Sequence, residues 1–235
     1  MKKISREQGY TLVELVIVLL ILGLLLAGIL GPLSVRIEQK ERQRAQEQLE
    51  EIRDAIYGFA ITYGRLPCPD SLSNDGLEDL VGTFPSRTCQ NLQGNIPWQD
   101  LQVLQNDPWG NAYIYKVTGS FADENGVTSF TPPTACTGST AANVSFAVCS
   151  EGNMNIFDGT GGTKIIDKIP AIVISKGKHN LPAEDSTDEQ ENTDADNIFV
   201  SKTFSQDNGK EFDDLMIWIS PNILKYRMVQ AGRLP

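Results

Sequence analysis

Three groups of residues in this 235-residue chain have types and spacings that point to chemistry. The first is Glu14. It stands at the head of an apolar run that continues from Leu15 to Leu30 without a polar residue. A run of roughly 20 apolar residues is long enough to cross a bilayer as one helix. A lone carboxylate is costly there and requires a partner. Met1–Gly9 is short and basic, with Lys2, Lys3 and Arg6 against Glu7, in the manner of a targeting n-region. A conventional cut after the apolar core has only the weak Ala27–Gly31 stretch to use. A cut between Gly9 and Tyr10 instead frees an amine on Tyr10 close to Glu14. In a packed array, that amine on one copy neutralises Glu14 of the next.

The second group is Cys68, Cys89, Cys136 and Cys149. There is no C-x-x-C pair and His179 is the lone histidine, so a zinc site is disfavoured. In an oxidising compartment four cysteines allow three pairings. Cys68–Cys89 with Cys136–Cys149 is favoured because each closes a short local loop. The third group is an acidic loop, Glu184 to Asp196. Clustered carboxylates repel, so such a loop is either solvated or folded around a hard cation. Asp185, Asp188, Asn192, Asp194 and Asp196 are the candidate calcium ligands. Asn192, Asp194 and Asp196 match the first alternating positions of an EF-hand, but Asn197 and Thr203 stand where its glycine and closing glutamate belong.

Other patterns carry no chemistry. Asp158-Gly-Thr-Gly-Gly162 lacks the Gly-Lys-Ser/Thr ending of a phosphate loop and reads as a hairpin turn. No serine or cysteine forms a triad with His179. No catalytic residue emerges, so the chain is not read as an enzyme and has no cofactor beyond the candidate calcium. The net charge of −10 disfavours nucleic acid as a partner.

The elements that must position these groups follow in order. After Pro32, Arg36 to Tyr63 is rich in helix formers, and Ala45, Leu49, Ile52, Ile56, Phe59 and Tyr63 make one apolar stripe. Gly31-Pro32 predicts a bend or a melted segment near residues 28–33. Gly64 ends the helix. An irregular loop runs to about Trp98, pinned by Cys68–Cys89, with a short helical turn at residues 96–101. Strands are predicted at 112–118, 143–149, 164–169 and 171–175, the last central because it is continuously apolar. Trp109 is expected in the core. Residues 198–204 and 212–219 flank Asp207-Asn-Gly209 as a hairpin. Ser220-Pro221 opens a terminal helix that stops at Gly232.

Gly9-Tyr10-Thr-Leu-Val-Glu14-Leu closely resembles the processing site of type IV pilins and type II secretion pseudopilins. The resemblance implies cleavage after Gly9, N-methylation of Tyr10 and an assembly role for Glu14. Tyr10 departs from the usual Phe but keeps an aromatic. Asp107-Pro-Trp-Gly also resembles the major pseudopilins, where it precedes the first strand of the head. Related pseudopilins hold calcium in a head loop, but no residue-level match carries over.

The expected fold is α+β: a long N-terminal helix with an apolar front half and an amphipathic rear half, packed against an antiparallel sheet. The domains are a leader at 1–9, a transmembrane and assembly helix at 10–33, an amphipathic helix at 34–64 and a globular head at 65–235. The function expected is a structural subunit of a type IV pilus-type filament. A minor pilin or pilin-like protein is preferred because the head is large and rich in loops. The alternatives are a pseudopilin of a type II secretion system and a membrane-anchored periplasmic binding module or enzyme. Partners implied by the resemblance are other pilin or pseudopilin subunits, a prepilin peptidase and an inner-membrane assembly platform. The chain would be single-pass in the inner membrane with a periplasmic head, then part of a filament.

Overall fold

A computed structural model describes residues 11–84, 86–124, 144–178, 186–207 and 211–234, with backbone alone for 26–35. Gly9, Tyr10, Cys136, His179, Asp185 and the Asn208-Gly209 turn lie outside the described residues. The chain divides into two compact units, Met1–Gln43 and Arg44–Pro235.

Helix α1 (Leu12–Tyr63) contributes to both units. Thr11 opens it, its hydroxyl accepting from the Glu14 amide at 3.3 Å. Gly64 closes it at φ +75°, a left-handed turn that favours glycine. The backbone stays helical through Gly31 and Pro32, so the expected melting is absent. Pro32 costs the helix one hydrogen bond and a clash with the preceding turn, and the run of helix formers that begins at Arg36 carries the helix on.

In the second unit Ala45, Leu49, Ile52 and Ile56 are at most 1% exposed. Phe59 is buried too, whereas Tyr63 lies at the rim with its ring 4.3 Å from that of Phe59. The chain then forms β1 (Leu80–Val81), β2 (Thr88–Cys89), β3 (Gln93–Asn95), α2 (Trp98–Leu101), β4 (Ile114–Val117) and α3 (Gly119–Ala122). It continues with β5 (Met154–Phe157), β6 (Lys164–Ile169), β7 (Ala171–Ser175), α4 (Thr187–Glu191), β8 (Ile198–Val200), β9 (Leu215–Trp218) and α5 (Pro221–Gln230).

Strands β3-β4-β7-β9 form a four-stranded antiparallel sheet. One face, with Tyr115, Val117, Val173 and Ile217, joins the stripe of α1 in the main core. The other face, with Ile172 and Ile174, packs on Met154, Ile156, Ile169 and Phe199 of a second sheet, β6-β5-β8. The order of layers is therefore helix, sheet, sheet. All five residues of β7 are buried because both of its faces are covered, which explains its continuous apolar sequence. The fold is α+β, as the pilin-like plan requires.

The structure corrects several local readings. The loop after Gly64 contains three short strands, with Leu80 paired to Cys89. Residues 144–149 are not a strand: Val144 and Phe146 are buried, but the Ser145 amide donates to the Gly64 carbonyl at 3.0 Å instead of to a ladder. The acidic loop contains α4, held by a capping box between Ser186 and Glu189. Strands β8 and β9 do not pair as a hairpin. Among the described residues of this stretch the one pairing is the bridge Ser205–Phe212, while β8 runs parallel to β5 and β9 joins β7. Trp109 is partly exposed and belongs to neither core.

Candidate functional site

The first candidate surface is the described start of α1. From Leu12 to Leu25 the large apolar side chains are 49–81% exposed, and Glu14 is exposed among them. Water around such a surface is unfavourable, and contiguous apolar patches of this kind mark docking or membrane contact. Among the described residues, no helix is long and apolar enough to cross a membrane. The run that the sequence shows continues into residues whose side chains are not described.

At the far end of α1 an ionic network ties the helix exit to the loop behind it. Arg65 makes two hydrogen bonds to Glu78, at 2.5 and 3.0 Å, and lies 3.5 Å from Glu124. Arg87 holds the same Glu124 at 2.5 Å. Glu78 also accepts from the Cys68 amide at 2.6 Å. Cys68 and Cys89 are bonded, with Cα atoms 5.3 Å apart. Closing a loop of this size contributes about 3 kcal/mol by restricting the unfolded chain. Cys149 is disulfide-bonded as well, whereas Cys136 lies outside the described residues.

The candidate calcium ligands separate. The Asp188 carboxylate meets Lys202 at 2.5 Å and accepts from Thr160. The Asn192 amide group donates to the Val200 carbonyl and to Asp214, while its oxygen accepts from the Val200 amide. Asp194 and Asp196 remain exposed and gather with Glu191, their oxygens within 4.8 Å of one another. A second trio, Glu189, Asp213 and Asp214, is buried with the same closeness. Its oxygens are the donor type a hard divalent cation takes. Composition singled out the exposed loop and missed the buried trio, whose members are 24 residues apart in sequence and meet only through the fold. The adjacent Asp213-Asp214 pair was the available signal.

Asp107 organises the turn before β4. One of its oxygens accepts from the amides of Trp109 and Asn111, and the other accepts from the Ser175 hydroxyl at 2.6 Å. This is a structural cap that binds the Asp-Pro-Trp-Gly turn to β7.

Residues 4–30 match the prokaryotic N-terminal methylation motif, and residues 33–145 match the family described as type II secretion system (T2SS), protein G. The chain is 30% identical over 115 residues to the type II secretion system core protein G of Pseudomonas aeruginosa, covering 77% of that protein and 49% of this chain. The chain belongs to the type II secretion system protein G family. The core protein G of Vibrio cholerae is 29% identical over 120 residues, 77% of its length and 51% of this chain. That of Escherichia coli is 28% identical over 117 residues, 74% of its length and 48% of this chain. These relatives support the pseudopilin alternative better than the preferred minor-pilin reading. The protein G match ends at residue 145, ahead of β5, β6 and β8, so the whole second sheet lies beyond it. No solved structure matches the chain.

Proposed function

We propose that this pseudopilin is a structural subunit of a type II secretion filament, assembled through the start of α1. It is cut after Gly9, methylated on Tyr10 and held in the inner membrane by the apolar run, with its head in the periplasm. A prepilin peptidase performs the cut. An inner-membrane platform then draws the subunit into a filament of pseudopilins. The reading rests on one observation: Glu14 stands among exposed large apolar residues at the start of α1. Burying that surface against sibling helices removes it from water at about 25 cal/mol per Å², and the freed amine of a neighbour supplies the counter-charge that Glu14 then needs. No catalysis by this chain is required; ATP hydrolysis belongs to a separate motor.

The test is Glu14→Ala in the full chain. Filament incorporation is lost while the head keeps its melting temperature. Normal incorporation of the variant contradicts the charge-pair reading.

Calcium is proposed as a ligand of the head, with Glu189, Asp213 and Asp214 as the residues that would hold it. Their support is the donor type and their closeness in a buried place.

A further inference from the structure

A groove of about 430 Å³ runs between the rear half of α1, the outer edge of β9 and α5, lined by Gln46, Arg53, Tyr57, Met216, Trp218 and Arg227. Strand β9 is the last in its sheet. The Ile219 amide donates inward to Ala171, so by alternation the backbone groups of Met216 and Trp218 face outward. No partner for them occurs among the described residues. Edge strands are usually guarded by charges, prolines or bulges. Leu215-Met-Ile-Trp218 has none of these.

The groove is also cationic in a strongly acidic chain. Arg227 stacks on Tyr57 at 4.4 Å and pairs with Asp54 at 3.3 Å. Arg53 is half-buried and has no hydrogen bond or ion pair among the described residues.

The opposite charge stands elsewhere on the same unit. Glu191, Asp194 and Asp196 converge, and none of them makes an ion pair among the described residues. They are held in place from behind. The Lys116 ammonium, on β4, donates to the carbonyls of Ala195 and Asp196 and lies 5.7 Å from the Phe199 ring. Asp194 accepts from the Asp196 amide and Asp196 from the Ile198 amide, which fixes the loop in shape. Asp194 and Asp196 are exposed. β7 separates β4 from β9 in the sheet, and within one copy neither Arg53 nor Arg227 pairs with these acids.

We infer that the groove along β9 receives the Glu191–Asp196 loop of a second copy of this chain. The inference rests on the filament reading given above. Two different patches of one molecule then meet, a heterologous contact that propagates as a helix and does not close. It brings positive charge to each junction between subunits that otherwise repel. The acidic loop lies beyond residue 145, so this contact belongs to the part of the chain outside the protein G match.

The experiment uses the full chain in cells that assemble the filament. Arg53→Glu lowers filament yield by about tenfold or more, because like charges across an interface cost more than the lost pair contributed. Asp194→Arg with Asp196→Arg does the same. Combining all three substitutions restores yield to near that of the unsubstituted chain, which loss of fold cannot mimic. Normal yield of Arg53→Glu overturns the inference, as does a combined variant no better than its parents. As a second arm, Arg53→Cys with Asp194→Cys gives an oxidation-dependent ladder of linked subunits in intact filaments; absence of that ladder also overturns it. Normal filaments with impaired secretion would place a secreted acidic segment in the groove and reject a second copy. If the unsubstituted chain forms no filament, the functional reading itself fails; if it assembles and the swap has no effect, only the groove contact does.

Discussion

Arg65 and Glu78 face each other with side chains 7% and 9% exposed, joined by two parallel hydrogen bonds immediately after the turn that ends α1. The fork of a guanidinium fits a carboxylate in this way, and neither group is left facing water. The pair fixes the direction in which the chain leaves the helix. It also reaches the Cys68 amide through Glu78, and Arg87 through Glu124, so the exit, the disulfide and the loop before residue 125 are one unit.

Arg65→Met leaves buried Glu78 without its counter-charge and is expected to cost about 3–5 kcal/mol, the usual result of breaking a buried pair from one side. Arg65→Lys keeps the charge but not the fork, and falls between the two. Urea unfolding midpoints of the three proteins check the order. Equal midpoints for Met and wild type would remove the network from the account.

Two carboxylates, Asp79 and Asp188, contribute to the acid limb of stability. Burial pushes Asp79 up, but hydrogen bonds from Ser71 and Leu72 outweigh it and hold the group below its ordinary value. Burial likewise pushes Asp188 up, and Lys202 with Thr160 outweighs it. A carboxylate depressed in the folded state stabilises above the ordinary carboxylate pKa, about 3.9 for Asp. That contribution is lost as pH falls through the lower folded value. Glu191 has the opposite sign. Burial raises it first, and Asp196, Asp194 and Asp188 raise it further, so mild acid relieves its repulsion. Melting temperature should therefore rise slightly from pH 7 toward 5 and fall below 4. Asp188→Asn should lower stability at pH 7 and make the acid limb shallower. An unchanged limb would show that Asp188 contributes nothing to it.

If calcium occupies the buried trio, millimolar calcium raises the melting temperature of the head. Asp213→Asn abolishes the rise, while Asp194→Asn in the exposed trio leaves it in place. Ligand that binds only the folded state stabilises by mass action, so the effect grows with concentration. The reverse pattern between the two variants would move the site to the exposed loop.

Much of the fold was legible because it is local. The four-three spacing from Ala45 to Phe59 is one helix face whatever surrounds it, and the structure buries those residues. β6 and β7 appeared at the limits read from sequence, and Ser220-Pro221 opened α5, with the serine hydroxyl accepting from Ile223. What depended on distant partners was not legible. β8 pairs in parallel with β5 across 40 residues, and no turn signal announces such a pairing. Asn192 has the residue type of a cation ligand, yet its side chain substitutes for a backbone partner of Val200. At the site, Glu14 stood out because one charge in an apolar run is conspicuous by itself. The Arg53 groove did not, since its members come from α1, β9 and α5.

In the proposed filament a freed amine on Tyr10 of one subunit meets Glu14 of the next. Mass spectrometry of the N-terminal peptide, taken from chain recovered in the filament, tests it most directly. The expected result is a peptide that begins at Tyr10 with one methyl group on its amine. A filament subunit that still begins at Met1 would contradict the account.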